Sequence, residues 1–488
     1  MSAPRRSALA SGILTGLGQV ASAGAAAGAA VLLAHRFGRN AQTDGFLTAY
    51  GVYLVLGLAA QSFRLVVVPE LTRARQAGRL ASETRSYALA FFGFAALVSA
   101  AAIALAGPFA DLLTASPQAQ TEAKDALRVL VPAAFLQLFA ALFSSALAAL
   151  DSYTIAAIGY SVGAIIGLVV FAGLSGSHGL IALAWGVFAG GLFTALLPAL
   201  VLARYGNLFG GDSAPLAVGR RIFQLARGAA VPIAVQGMYV VSLRLAAGLG
   251  VGLQTSLSYG YVIASTLVAA TAASLSLISS APLTRRGVDA ESAAAHVVHA
   301  AWLSLAAIAA ATGIFALVGG RLIGGALGHA YAGNAGSELG TLVVYLAPWM
   351  VVMVAYTVVF PLVFVVEKPS VLLPLAPVAL ALHVPISLAL RSWLGLNGLA
   401  VALAVTTALV LVVLLAAVSP RMLELAALGL GRVALGFAAL AAAAFGLVSL
   451  ALSGIPAAAA GFVLYAAVLA AARPRGLREA WAYVRVLH

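Results

Sequence analysis

The sequence predicts an all-α polytopic membrane protein of about 14 transmembrane helices, arranged as two six-helix lobes related by a parallel pseudo-two-fold repeat, with two extra C-terminal helices. Three observations predict it. The 488 residues are 63% hydrophobic and 8% charged, with a mean hydropathy of +1.07, whereas a soluble domain carries roughly a quarter charged residues. The apolar residues fall into runs of about 20, the length that crosses a hydrocarbon core. The third is an internal echo. Tyr50-Gly51-Val52-Tyr53 returns about 210 residues later as Tyr259-Gly260-Tyr261-Val262, and Pro69-Glu70-Leu71-Thr72-Arg73 returns as Pro282-Leu283-Thr284-Arg285-Arg286.

In chain order the spans lie near 8–34, 45–69, 86–107, 125–150, 153–174, 179–203, 222–249, 252–281, 292–318, 338–366, 370–390, 395–418, 429–452 and 455–472. The first has an Ala-x-Ala-like site near Ala21–Ala23, but its apolar run continues to Leu33. That is too long for the core of a signal peptide, so it reads as an uncleaved span starting in the cytoplasm. The seventh and eighth spans are separated only by Gly248-Leu249-Gly250-Val251-Gly252. With that start, 19 of the 27 basic residues fall in cytoplasmic segments, among them Arg73, Arg75, Arg79, Arg220, Arg221, Arg227 and Arg473. Six fall outside, and Arg64 and Arg244 fall within spans. This bias obeys the positive-inside rule and places both termini in the cytoplasm.

The echo continues along the chain. Leu105-Ala106-Gly107 matches Leu317-Val318-Gly319, and Leu130-Val131-Pro132 matches Leu346-Ala347-Pro348. Asp151 falls against Glu367, and the stretch His178–Ala184 against Asn397–Ala404 at a shift of 219 to 220. Six spans per half make each half enter and leave on one side, which is what parallel repeats require. The domains expected are therefore 1–205 (spans one to six), 206–419 (spans seven to twelve), 420–472 (the last two spans) and 473–488, a basic tail that reads equally as an amphipathic helix on the inner leaflet or as a disordered segment.

Composition excludes several functions. Cys is zero, so disulfides, thiol catalysis and Cys-ligated metal are out, and neither a metal nor a cofactor site is expected. The formal charge of +13 is scattered through short loops and builds no nucleic-acid face.

Phe37-Gly38-Arg39-Asn40-Ala41-Gln42-Thr43-Asp44-Gly45-Phe46, the following span, and Val68-Pro69-Glu70-Leu71 resemble the first helical hairpin of the MurJ/MviN lipid II flippases. These belong to the multidrug/oligosaccharidyl-lipid/polysaccharide (MOP) exporter superfamily. By motif the resemblance covers residues 35–75, and by its twelve-plus-two helix plan the whole chain. It implies a V-shaped, two-lobed transporter in the bacterial cytoplasmic membrane. Such a protein carries a polyprenyl-diphosphate-linked glycan between leaflets and works alongside the cell-wall synthesis machinery. The chain departs from that pattern at the arginines that grip the diphosphate. Ala29 and Ala30 stand where the first helix carries an Arg-Asp pair, Leu54-Val55-Leu56 where the second carries paired arginines, and the arginine of the eighth falls near Val262.

The residues that carry chemistry are few. Arg244 and Arg64 are charges inside spans, which cost about 2.5–3.5 kcal/mol each on insertion scales and so face a cavity or a partner. The planar fork of arginine suits phosphate, although both side chains are also long enough to snorkel to the headgroups. Gln61, Gln236, Tyr53, Tyr239 and Tyr259 lie in the second, seventh and eighth spans, which would line the cavity, and their amides and phenols suit sugar hydroxyls. Arg39 and Asp44 form an outer turn, while Glu70, Asp151 and Glu367 sit at inner ends, and all five read as gating residues. His383 is the mid-span histidine, and hydrogen bonding to a neighbour is the better reading of it than a proton relay. The GxxxGxxxG ridge Gly159, Gly163, Gly167 reads as helix packing, and Pro69, Pro232 and Pro282 as bending points.

The leading function is an alternating-access flippase for a polyprenyl-(di)phosphate-linked glycan such as lipid II. The alternatives are a cation-coupled multidrug exporter of the same superfamily and a non-transporting regulatory relative. An integral-membrane glycan transferase would need convergent acids or histidines that the spans lack.

Overall fold

A computed structural model describes residues 8–150, 152–204, 218–273, 290–366 and 369–472. Every regular element in it is helical. Eleven helices among the described residues are long and apolar enough to cross a membrane, which makes the chain a multi-pass membrane protein. It divides into two compact units, Met1–Thr255 and Ser256–His488.

The first unit holds α1 (Ala8–Phe37), α2 (Ala41–Gln76), α3 (Leu80–Ala104), the short α4 (Ala106–Leu113), α5 (Pro117–Ala149), α6 (Tyr153–His178), α7 (Ile181–Arg204) and α8 (Val218–Ala247). The boundary between units falls three residues into α9 (Leu253–Val268), which a π turn extends to Ala273. The seventh span, α8, thus packs in the first unit, against α2 and α3. Local chemistry sets several helix starts. Asn40 caps α2 by accepting from the Thr43 amide at 3.0 Å, and Ser116 followed by Pro117 starts α5 in the same way. Neither Pro132 in α5 nor Pro232 in α8 ends its helix.

α2 packs chiefly on α5, α5 on α7, α7 on α6, and α6 on α1. The α6–α7 contact is a backbone approach. A Cβ built on Gly163 would come within 2.7 Å of the Gly190 carbonyl, and one on Gly167 within 2.9 Å of the Gly186 carbonyl. The glycine ridge of α6 therefore meets a second one, Gly186-x-x-x-Gly190, on α7, and the backbones touch because no side chain intervenes. Away from these contacts, α3 turns Leu89, Phe92 and Leu97 outward, a face made for lipid.

The second unit holds α10 (Ala290–Leu327), α11 (Asn334–Tyr345), α12 (Ala347–Val365), α13 (Leu372–Leu394), α14 (Leu396–Val418), α15 (Pro420–Ser449) and α16 (Gly454–Ala472). α10 is its centre, packing on α11, α12, α15 and α16. The expected single span 338–366 is two helices meeting at Leu346. The last two helices are held by one aromatic ring: Phe445 of α15 fills the space that side chains on Gly313 of α10 and Gly461 of α16 would occupy. Trp302 packs edge-on against Phe437 at 4.8 Å, and Tyr465 donates to the Ala306 carbonyl at 3.0 Å.

One detail bears on the repeat. The α6–α7 turn is made at Gly179 (φ 60°, ψ −143°) and the α13–α14 turn at Gly395 (φ 57°, ψ −129°), a left-handed geometry that favours glycine. These two residues are 216 apart, the shift that also relates Pro132 to Pro348, so local geometry pairs Gly179 with Gly395 instead of the expected Gly398.

Candidate functional site

Within the first unit, polar side chains gather at three levels of α2. In its first turn Asp44 is 4% exposed. Its Oδ2 accepts from the Gly252 amide at 2.6 Å, and its Oδ1 accepts from the Thr255 amide at 2.8 Å and the Thr255 hydroxyl at 2.6 Å. A carboxylate on the free amides of a helix start satisfies orphan donors and meets the positive end of the helix dipole. Asp44 is thus the cap of α9, although about 210 residues separate the two in sequence. Arg39 Nε donates to the Gly252 carbonyl at 2.9 Å, so acid and base grip the same peptide segment from two sides. Gln254 reinforces the junction, donating through Nε2 to Thr48 Oγ1 at 2.8 Å and to the Leu243 carbonyl at 3.1 Å.

Midway, α2 lies directly on α8. A Cβ on Gly51 would meet Leu243 at 2.8 Å and the Tyr239 ring at 3.3 Å. Tyr239, expected to line a cavity, is 1% exposed and spent on this contact. Tyr53 is half-buried, tilted against Tyr50 at 5.2 Å and hydrogen-bonded to Gln137. Further in, the half-buried Arg64 lies over the Tyr160 ring of α6, 6.0 Å from its centroid. Among the described residues Arg64 makes no ion pair.

Toward the C-terminal end of α2 the structure assembles a cluster around a residue that sequence reasoning missed. Arg221 of α8, placed by its sequence among cytoplasmic charges, is 2% exposed. Its Nη2 and Nε donate to Glu83 Oε2 at 2.6 and 3.1 Å, and its Nη1 donates to Gln224 Oε1 at 2.6 Å and Tyr87 Oη at 3.3 Å. The Tyr87 ring lies beneath the guanidinium, 4.9 Å from the centroid. Glu70 of α2 approaches Nη1 at 3.4 Å and also faces the exposed Arg73 at 3.7 Å. A buried guanidinium survives only with such partners. This cluster ties α2, α3 and α8 together, and of its members only Glu70 was expected at a site.

The remaining expected residues are dispersed. Arg244 is exposed in the last turn of α8 and, like Arg227, makes no ion pair among the described residues. Arg227 is half-buried, and its Nε is buried without a partner. Gln236 is buried in α8. Tyr259 belongs to the second unit, where it packs edge-on against Tyr331 at 5.4 Å. Asp151, Glu367, Pro282 and the side chains of Gln61 and Pro69 lie outside the described residues. His383 is fully buried between Thr406 Oγ1 at 3.0 Å and Ser387 Oγ at 3.1 Å. The Thr406 hydroxyl donates to the Ala402 carbonyl, so in the neutral ring Nδ1 carries the proton and Nε2 accepts from Ser387. No group of acidic and histidine side chains fit for a metal occurs among the described residues.

The class these features define is a polytopic, all-α membrane protein with the fold of a MurJ-like MOP transporter. A solved structure described as the lipid II flippase MurJ in an inward closed conformation matches with a TM-score of 0.72, over 94% of this chain and 99% of that one, at 15% identity. An inward-facing multidrug resistance MATE family transporter of the MOP superfamily matches at 0.63 over 85% and 94%, with 14% identity. A Vibrio cholerae MATE transporter matches at 0.55 over 85% and 98%, also at 14%. Neither a protein-family model nor a curated protein matches the sequence.

Proposed function

We propose that the chain is an alternating-access flippase of a bacterial cytoplasmic membrane, moving a polyprenyl-(di)phosphate-linked glycan precursor from the inner to the outer leaflet. The observation that carries this reading is Arg64. It is a charge in the apolar run of α2 with no carboxylate partner among the described residues, backed by the Tyr160 ring. Such a cation is expensive to leave in lipid, and an anionic headgroup is the ligand that offsets its cost. Arg244, also unpaired, stands at the outer end of α8 as the point of release. Along α2 the Asp44 junction serves as the outer gate and the Arg221 cluster as the inner one, and the prenyl tail stays in the bilayer throughout.

The rival with support is a cation-coupled multidrug exporter, since MATE transporters share the fold. Exchange of a cation for a drug calls for a buried mid-span carboxylate. The buried acids among the described residues are Asp44 and Glu83, both at helix ends and both occupied. Depleting the protein in its host and measuring lipid-linked precursors by leaflet tests the reading. Accumulation of one precursor in the inner leaflet is expected. Accumulation of none overturns it in favour of the exporter or of a relative that has lost transport.

A further inference from the structure

Arg221 is held unequally by its two acids. Glu83 grips it through Nε and Nη2 and is 11% exposed, whereas Glu70 meets only Nη1, at 3.4 Å, and is 28% exposed. The long contact is beyond ordinary charge-assisted length. Glu70 is also shared with Arg73, whose side chain is 71% exposed. The Nη1 edge of Arg221 therefore faces a carboxylate that is loosely bound, partly in solvent and already drawn elsewhere. Two further groups converge on that edge, the Tyr87 hydroxyl at 3.3 Å and Gln224 Oε1 at 2.6 Å. Arg64 lies six residues deeper on α2, about 9 Å along the helix axis.

We infer that Arg221 is a phosphate-binding residue of the inner mouth, and that Glu70 occupies its place for the ligand until a lipid-borne phosphate displaces it. This rests on the flippase reading. The exchange keeps an oxyanion on the guanidinium edge: the carboxylate leaves Nη1 for Arg73 and solvent, and a phosphate oxygen takes its place. Glu83 stays bound, so Arg221 remains neutralised and α8 remains attached to α3 while its link to α2 is released. Headgroup arrival and loosening of the α2–α8 contact are then one event.

The test uses the full chain in nanodiscs and compares binding of a polyprenyl diphosphate, inorganic pyrophosphate and uncharged polyprenol. Glu70→Gln removes the competing oxyanion and should tighten polyprenyl diphosphate binding about tenfold relative to the parent chain, an effect that is lost in Glu70→Gln/Arg221→Lys, where the charge stays but the fork is gone. Glu70→Asp, which only shortens the reach, serves the same comparison where the Gln variant does not fold. Tightening for pyrophosphate as well identifies the phosphate itself as the ligand, and tightening for the lipid alone identifies a lipid-borne headgroup. Either outcome supports the inference. Unchanged or weaker binding by both Glu70 variants, or equal tightening for polyprenol, overturns it. Should the parent chain and every variant ignore polyprenyl diphosphate, the flippase reading falls as well.

Discussion

Replacing Asp44 with Ala should unlatch the start of α9 without unfolding the unit. The carboxylate accepts three hydrogen bonds, from the Gly252 amide, the Thr255 amide and the Thr255 hydroxyl. Both amides belong to buried residues, so Ala leaves two buried donors unpaired, at about 1–3 kcal/mol each. The lost interaction with the helix dipole adds a few tenths to about 1 kcal/mol. The Thr255 hydroxyl rotates to find another acceptor, and it is left out of the sum. A local loss of about 3 kcal/mol follows, which is on the order of a hundredfold in an opening equilibrium. Hydrogen exchange read by mass spectrometry on a peptide spanning 250–258 measures this directly, and exchange there should quicken by about that factor while α5 and α7 stay protected. Asp44→Asn, which keeps one acceptor, should fall near tenfold. Exchange within twofold of the parent chain in both variants would refute the capping argument.

Four further outcomes follow from the same geometry. Glu83→Ala strips the better partner from a buried guanidinium and should lower stability by about 3–5 kcal/mol, and Glu83→Leu/Arg221→Met should recover most of the loss in a thermal unfolding assay in detergent. Gly163→Leu drives a side chain into the Gly190 carbonyl and should separate α6 from α7, cutting the folded yield in size-exclusion chromatography, while the same change at the open Gly173 does not. Phe445→Ala empties the slot between Gly313 and Gly461, costs about 3–5 kcal/mol, and should make α15 and α16 the first helices lost in limited proteolysis. Arg64→Ala and Arg244→Ala should each reduce precursor transport at least tenfold at unchanged protein level, and normal transport in both would sink the anionic-substrate reading.

That the chain is all-helical and multi-pass was legible because 20-residue apolar runs are a local signal. So was the glycine ridge of α6, although its mate on α7 was not, since small residues advertise close approach but not a partner. The bland reading of His383 was sound for the same reason: a lone ring among apolar neighbours needs hydroxyls, and Thr406 and Ser387 supply them. The junctions were harder. Asp44 reads as a charged turn, and its ligands are backbone amides about 210 residues away that carry no side-chain signature. Arg221 lies next to Arg220, and a pair of arginines after a linker looks like topology. Its burial depends on Glu83 and Tyr87, 138 and 134 residues earlier. Tyr239 was read as lining a cavity because a tyrosine in a span suggests a wet wall, but the absent side chain at Gly51 gives its ring a dry seat.

That seat has a mechanical consequence. Gly51 against Tyr239 and Leu243 is a fulcrum, and the arms of α8 on either side of it are unequal. By helical rise about 30 Å lies between it and Arg221, and only about 9 Å between it and the last turn at Ala247. A rigid tilt of about 10° would swing the Arg221 end by about 5 Å while moving the Ala247 end by less than about 2 Å. One end of α8 thus sweeps while the other stays nearly in place.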